Sequence, residues 1–179
     1  MVYTMRYDSP IGGLLLAEKE GALVGVWMEG QKYFLGSLKE EMEENPNSAM
    51  LKQAGRWLDC YFGGEKPEIA QLKLAPMGSA FRKAVWDILC EIPYGSVMTY
   101  GEISRKIAAS RGLERMSAQA VGGAVGHNPI SIIIPCHRVV GTNGSLTGYA
   151  GGLQKKIALL TLEGVDTGKF TIPQKGTAL

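Results

Sequence analysis

The sequence predicts an α+β protein, in which a small N-terminal α/β domain with an antiparallel sheet precedes a mostly helical C-terminal domain. The first thirty residues consist of short β-rich runs separated by glycine-containing turns. From Ser79 onward, the apolar residues instead follow helical spacing. Hydrophobic residues make up 45% of the 179-residue chain and charged residues 20%, which is typical of a soluble globular protein.

Residues 1–77 are predicted to form the first domain. Strands are expected over residues 2–7, 14–17 and 23–27, and the acidic residues 40–46 are interpreted as a solvated loop or a helix end. A helix follows, because five apolar residues share one helical face and two glycines after them supply a stop. These residues are Met50, Ala54, Trp57, Leu58 and Tyr61.

The second domain, residues 78–168, is predicted to begin with an amphipathic helix that ends at Pro93. Its inward residues are Phe81, Val85, Ile88, Leu89 and Ile92. Thr99 and Glu102 have the spacing of a capping box, which would start the next helix. That helix and a short helix of small residues over 116–125 form a helix-turn-helix candidate.

An apolar run over residues 130–134 predicts a buried extended segment that leads directly to Cys136. A glycine-rich stretch over residues 141–152 follows it, and a last helix then ends at Glu163. The inward residues of this helix are predicted to be Leu153, Ile157 and Leu160. Residues 169–179 are expected to form a C-terminal tail.

The charge is distributed unevenly along the chain. Residues 1–78 carry 8 Lys and Arg against 11 Asp and Glu, a net charge of −3. Residues 79–179 carry 11 against 6, a net charge of +5. A polyanionic partner would therefore meet the second domain, although a chance asymmetry explains the difference equally well.

Cysteine usage favours a reducing compartment, because Cys60, Cys90 and Cys136 cannot all pair within one chain. We expect a cytosolic protein, since neither a signal-peptide pattern nor an apolar run of membrane-spanning length is present. With no C-x-x-C or H-x-x-x-H cluster, we expect no metal site and no cofactor. Both histidines, His127 and His137, lie within ten residues of Cys136.

Cys136 and His137 are the candidate catalytic pair. A thiol is a weak nucleophile until it is deprotonated, and a nearby imidazole is the usual proton acceptor. Because adjacent residues on an extended chain point to opposite sides, a water would have to bridge them. The other nitrogen of His137 also needs an acceptor, for which Glu163 and Glu102 are candidates. The alternative interpretation is a buried structural cysteine beside an incidental histidine.

The residues around this pair form a longer pattern. It comprises Asn128-Pro129, Pro135-Cys136-His137-Arg138-Val139 and Gly148-Tyr149-Ala150-Gly151-Gly152. The pattern resembles the O6-alkylguanine-DNA alkyltransferase family, and the resemblance runs from about residue 78 to residue 164. It implies a ribonuclease H-like sheet in the first domain and a winged-helix-like second domain. It also implies repair of DNA by direct reversal, in which O6-alkylguanine, or O4-alkylthymine, loses its alkyl group irreversibly and stoichiometrically to the protein.

The resemblance further implies roles for individual residues. Cys136 would accept the alkyl group, His137 would draw its proton through a water, and Glu163 would orient His137. Asn128 would brace the turn that precedes the active-site strand, and Arg138 would be structural. The flipped base would be held by Tyr100, Val139, Tyr149 and Ala150.

The short helix over 116–125 is implied to enter the minor groove of DNA, from which the target nucleotide is flipped out. The residues that would contact DNA are Ala118, Gln119, Gly122, Gly123, Arg111 and Arg115. Where the family usually has an arginine that fills the gap left by the base, this chain has Gln119. We therefore expect weaker duplex binding or slower flipping. The alternatives are tight helix packing for the small residues and a solvated face for the charges.

Two other functions stay open on sequence alone. A damage sensor would hold the flipped base for another protein, and Gln119 is the only support for it. A cysteine hydrolase would need an oxyanion hole and turnover, to which no sequence feature points. Labelling of the cysteine by an alkylguanine separates all three. We expect a monomer without membrane association.

Overall fold

The computed structural model describes residues 1–36 and 38–173, which form two compact units. The first unit comprises Met1–Gly78 together with Pro129–Ile133. The second comprises Ser79–Asn128 and the chain from Ile134 onward. Within the described residues, no helix combines the length and apolar character that crossing a lipid bilayer requires.

The first unit contains a sheet on which one helix packs. Strands β1 (Val2–Ser9), β2 (Gly12–Lys19) and β3 (Ala22–Met28) form the predicted antiparallel meander. Helix α1 (Ala49–Phe62) contacts all three strands and buries the five apolar residues that predicted it. The helix ends at Phe62 and Gly63 is its C-terminal cap, so the predicted glycine stop is confirmed.

The acidic segment after the meander differs from the predicted loop or helix end. Met42–Glu44 forms a short fourth strand, β4, parallel to β1 at the sheet edge. The Val2 N–H donates to the Glu41 C=O at 3.0 Å, and the Asn45 N–H donates to the Thr4 C=O at 2.9 Å. All three strand side chains are exposed, so no hydrophobic alternation marks this strand. Pairing with the edge of β1 decides its conformation.

The apolar run over residues 130–134 is buried as predicted, but it is not one extended strand. Ile130 pairs with Val26 of β3, and the Ser131 N–H donates to the Val26 C=O at 2.9 Å. The chain then turns, and Ile132 has a left-handed φ of 72°. Because every side chain in the run is buried, the sequence shows no alternation of apolar and polar residues, which is the pattern that would distinguish a strand from a buried turn.

The second unit is mostly helical, with a two-stranded parallel sheet. Its elements are α2 (Ala80–Cys90), β5 (Met98–Thr99), α3 (Tyr100–Ser110), α4 (Ala118–Gly126), β6 (Val139–Val140) and α5 (Leu153–Leu162). Helices α2, α3 and α4 pack against one another. The Trp86 indole N–H donates to the Ala124 C=O at 2.8 Å, which joins α2 to α4.

The starts of these helices follow the predicted capping chemistry. The Thr99 hydroxyl accepts from the Glu102 N–H at 3.1 Å, and the Glu102 carboxylate accepts from the Thr99 N–H at 2.7 Å, so the capping box is confirmed. Ser117 caps α4, which begins two residues later than predicted because Ser117 takes the cap position.

The first residues of the predicted tail belong to the second unit. Phe170 packs against Val140, Leu146 and Leu160, and the Leu146 N–H donates to the Thr171 C=O at 2.8 Å. The remainder of the predicted tail, residues 174–179, lies outside the described residues.

Candidate active site

The predicted nucleophile lies on a single 3-10 turn, Cys136–Arg138, between Pro135 and β6. The Arg138 N–H donates to the Pro135 C=O at 3.0 Å, which closes the turn. Cys136 is 5% exposed, His137 0% and Arg138 6%. The extended backbone expected at Cys136 and His137 is therefore wrong, because these residues belong to a 3-10 turn. Consecutive side chains of such a turn point in directions about 120° apart and not to opposite sides.

Glu163, the residue that ends α5, supplies the acceptor for His137. Its Oε2 lies 2.5 Å from the His137 Nε2. Its Oε1 accepts from the Arg138 Nε at 2.7 Å and from the Gly95 N–H at 3.1 Å. Glu102 is instead engaged in the capping box of α3. Of the two candidates that the sequence left open, the geometry therefore selects Glu163.

Gly95 can approach this carboxylate only because it is a glycine. Its φ of 78° lies in the left-handed region, and a Cβ at this position would lie 3.0 Å from the Glu163 C=O. A larger residue would push the turn away from Glu163 and remove the backbone N–H from the carboxylate.

The Cys136 thiol is held in its protonated form by its surroundings. Burial raises the pKa of Cys136 above its ordinary value. A hydrogen bond from the Asn128 side chain, the charge of Lys156 and the backbone N–H groups of Cys136 and His137 oppose this effect but do not outweigh it. The Asn128 amide also donates to the Ile134 C=O at 2.8 Å, across the segment that precedes the turn.

His137 is held neutral. Burial lowers the pKa of His137, the positive charges of Arg138 and Lys156 lower it further, and Glu163 opposes them. A neutral imidazole can accept a proton, whereas an imidazolium cannot. A protonated thiol next to a neutral imidazole is the starting pair for general-base activation of a cysteine.

Lys156 is a buried residue of the candidate site that sequence reasoning missed. It lies on α5, is 0% exposed, and donates to the Val139 C=O at 2.5 Å and to the Thr147 C=O at 2.8 Å. Burial lowers the pKa of Lys156 to about 8. A signal was present, because Lys156 is three residues after Leu153 and four before Leu160, on the inward face of the helix.

Tyr100 reaches the glycine-rich segment from the start of α3. Its hydroxyl donates to the Thr147 C=O at 3.3 Å and to the Gly148 C=O at 3.4 Å. Burial raises the pKa of Tyr100 to about 12, with a further contribution from Cys136, so the group remains an O–H donor close to the thiol. Of the other predicted base contacts, Val139 and Tyr149 are buried and Ala150 is half-buried.

Of the predicted DNA-contacting residues, four lie on α4 and two, Arg111 and Arg115, lie on the segment between α3 and α4. Exposed among them are Ala118, Gln119, Gly123, Arg111 and Arg115, while Gly122 is half-buried. The Arg111 guanidinium lies over the ring of Phe81, 5.2 Å from its centroid, so part of its role is internal. A Cβ on Gly123 would meet nothing within 4 Å, and one on Gly122 would meet the Tyr100 ring at 3.9 Å. Internal packing therefore does not require glycine at either position.

Over residues 1–36 and 38–173, no group of three or more His, Cys, Asp or Glu side chains is arranged to hold a metal ion.

Both halves of the chain match models of known protein families. The model described as "6-O-methylguanine DNA methyltransferase, ribonuclease-like domain" matches residues 1–76, and that described as "6-O-methylguanine DNA methyltransferase, DNA binding domain" matches residues 80–165. The chain is 45% identical, over 166 residues, to a methylated-DNA–protein-cysteine methyltransferase of Methanosarcina acetivorans, which covers 91% of this chain and 99% of that protein. The chain belongs to the 6-O-methylguanine DNA methyltransferase family.

Other relatives extend this membership over nearly the whole length. The methylated-DNA–protein-cysteine methyltransferase of Haemophilus influenzae is 38% identical over 176 residues, 98% of this chain and 91% of that protein. The crystal structure of Mycobacterium tuberculosis OGT in complex with DNA superposes with a TM-score of 0.77, at 40% identity and 94% coverage of each chain. The family and the α+β fold predicted from the sequence are thereby confirmed.

Proposed function

We propose that this protein takes the alkyl group from O6 of guanine in DNA onto the Sγ of Cys136, irreversibly and once per molecule. Support comes from its relatives, which are named as methylated-DNA–protein-cysteine methyltransferases. The observation that points to particular residues is the buried turn on which Cys136 precedes His137, whose Nε2 lies 2.5 Å from the Glu163 carboxylate.

The reaction begins with loss of the thiol proton. The acceptor of this proton is the His137 Nδ1, because the other ring nitrogen, Nε2, is bound by Glu163. A water carries the proton from the Cys136 Sγ to Nδ1 if the two atoms are not in direct contact. The thiolate then attacks the alkyl carbon, so that a C–S bond forms as the C–O6 bond breaks. The electron pair goes to the guanine, which takes up one proton as it leaves. Thiol and alkylguanine become thioether and guanine.

Tyr100 and Lys156 prepare the pocket for the leaving base. The Tyr100 hydroxyl, kept protonated by burial, donates a hydrogen bond to the guanine as negative charge develops on it. Lys156 donates to the Val139 and Thr147 carbonyls and so fixes the Val139 C=O, which is the acceptor for the edge of the base. Water does not hydrolyse a thioether under cellular conditions, so each molecule acts once.

DNA is met by the start of α4, in the minor groove, and the damaged nucleotide is turned out of the stack. Support comes from Gly122 and Gly123, which have no side chain that would keep a DNA groove away from the helix. Internal packing does not explain these glycines, because a Cβ would fit at both positions. All residues of the reaction lie in one unit of one chain, which supports a monomer. Three free cysteines support a reducing, cytosolic location.

The test is the intact mass of the protein after incubation with duplex DNA that contains O6-methylguanine. We expect a gain of ~14 Da, mapped to the peptide of Cys136 and not to those of Cys60 or Cys90. One equivalent of lesion should saturate the protein, and a second addition should leave the mass unchanged. Selective binding without added mass would make the protein a damage sensor, and continued release of product would make it a hydrolase.

Gln119 predicts a second, chain-specific result. We expect Gln119→Arg to raise the transfer rate on duplex DNA about threefold to tenfold, because a guanidinium adds stacking surface and charge in the gap left by the base. The rate with a single-stranded trinucleotide should stay constant, since no duplex has to be opened. Gln154→Arg, which adds the same charge to an exposed site on α5, is the matched control. An equal gain for both substrates would refute the assigned position of Gln119.

A further inference from the structure

The Arg138 side chain contacts the carboxylate of Glu163 and the segment that follows α2. Its Nε donates to the Glu163 Oε1 at 2.7 Å, and its Nη1 donates to the Ile92 C=O at 2.6 Å, just after α2. The guanidinium also lies over the ring of Tyr94, 5.8 Å from the centroid. The side chain is 8% exposed, so these contacts replace water almost completely.

We propose that Arg138 is a positioning residue for the alkyl transfer, which acts as the counter-ion of Glu163 and directs the Oε2 of that carboxylate at His137. The inference rests on the proposed transfer to Cys136. It assigns to Arg138 a function in the reaction beyond tying the turn to neighbouring backbone.

The geometry of the carboxylate supports the first part of this role. The two oxygens of Glu163 have separate partners, because Oε1 accepts from Arg138 and Gly95 while Oε2 faces His137. With both donors on Oε1, rotation of the carboxylate would break two hydrogen bonds. Without Arg138, the Gly95 N–H at 3.1 Å would be the remaining donor among these contacts, and Oε2 would lose its fixed direction.

The charges around His137 support the second part. Glu163 lies on one side of the ring, and Arg138 and Lys156 supply the two positive charges that act on it. Two further titratable groups act within this cluster. Tyr94 and Cys90 both have raised pKa values, the latter about 11, so they are neutral near pH 7. Because Arg138 balances Glu163, His137 does not have to carry a proton to neutralise the carboxylate.

Removal of this balance has a defined consequence. A lone buried carboxylate favours the imidazolium, so His137 would hold a proton before the reaction starts and could not accept that of Cys136. Transfer requires neutral His137, and its rate therefore rises as the pH passes the pKa of His137. Loss of the positive charge raises that pKa, so the acid limb of the rate profile must move to higher pH.

The experiment measures the rate of Cys136 alkylation by a trinucleotide containing O6-methylguanine, from about pH 5 to about pH 9. We expect Arg138→Met to shift the acid limb upward by about one to two pH units. Arg138→Lys keeps the charge but cannot form both hydrogen bonds, so its limb should stay in place while its rate falls at least about tenfold. Arg82→Met, a half-buried arginine of α2, should reproduce the wild-type profile.

The active fraction of each variant is measured separately, by the total methyl accepted per chain. A purely structural Arg138 would lower the active fraction and leave both the limb and the rate per active molecule unchanged, which would overturn the inference. If Arg138→Met does not fold, a wild-type rate in Arg138→Lys overturns it equally. Absence of labelling in the wild type would instead refute the proposed transfer itself.

Discussion

Replacement of Cys136 by alanine is expected to abolish alkyl transfer completely, not merely to slow it. The sulfur is the atom that forms the new bond, so no other group of the site can substitute for it. The other two cysteines do not replace it, because neither Cys60 nor Cys90 is followed by a histidine that could accept the thiol proton, as Cys136 is. The measurement is the mass of the protein after incubation with O6-methylguanine DNA, at a large excess of DNA.

Two companion variants make this result specific. Cys136→Ser preserves the shape of the side chain and should also be inactive, because a hydroxyl is far less acidic than a thiol. Cys90→Ala should accept one methyl group, as the wild type does. Both Cys136 variants should bind lesion-containing duplex with wild-type affinity, since the thiol does not contact phosphates. A methyl group found on Cys136→Ala would exclude Cys136 as the acceptor.

The elements with clear periodicity could be predicted from the sequence. The three strands of the meander and the buried face of α1 are confirmed, because a single exposed face gives each of them a regular pattern. The capping box of Thr99 and Glu102 is confirmed for a similar reason, since it depends on two residues three apart.

The elements that depend on distant partners could not be predicted. Strand β4 has no apolar pattern and is held by the edge of β1. All three residues of the turn at Cys136 are buried, so no alternation of apolar and polar residues indicated whether the chain is extended or turned there. Lys156 has an inward position on α5, but it follows a second lysine, and such a pair is more often solvated than buried, so its position alone did not predict its burial. Its burial depends on two carbonyls, those of Val139 and Thr147, that local sequence does not reveal.

The choice between two glutamates was likewise a question of tertiary structure. The residue pattern alone left Glu163 and Glu102 as candidates, 26 and 35 residues from His137, and only the resemblance to the family favoured Glu163. The structure assigns one to the imidazole and the other to a helix start. This assignment gives a matched pair of substitutions with opposite expected outcomes.

Glu163→Gln is expected to lower the transfer rate about 10²- to 10⁴-fold, in the range found when a general base or its orienting carboxylate is lost. The carboxylate accepts on both oxygens, from His137 on one and from Arg138 and Gly95 on the other. An amide has one oxygen and one NH₂ group. In either orientation, its NH₂ group must therefore face another donor, and the imidazole loses its orientation or the arginine loses its acceptor.

The same substitution should destabilise the fold, because it leaves the buried charge of Arg138 without a counter-ion. We expect a loss of about 3–5 kcal/mol in the free energy of unfolding, measured by urea denaturation. Glu102→Gln should change the rate little and cost at most about 1 kcal/mol, since an exposed amide can still accept from the Thr99 N–H. Equal rate losses in the two variants would mean that Glu163 has only a structural role and none in the reaction. A rate loss confined to Glu163→Gln, measured per active molecule, would show that the carboxylate orients His137 for the proton transfer.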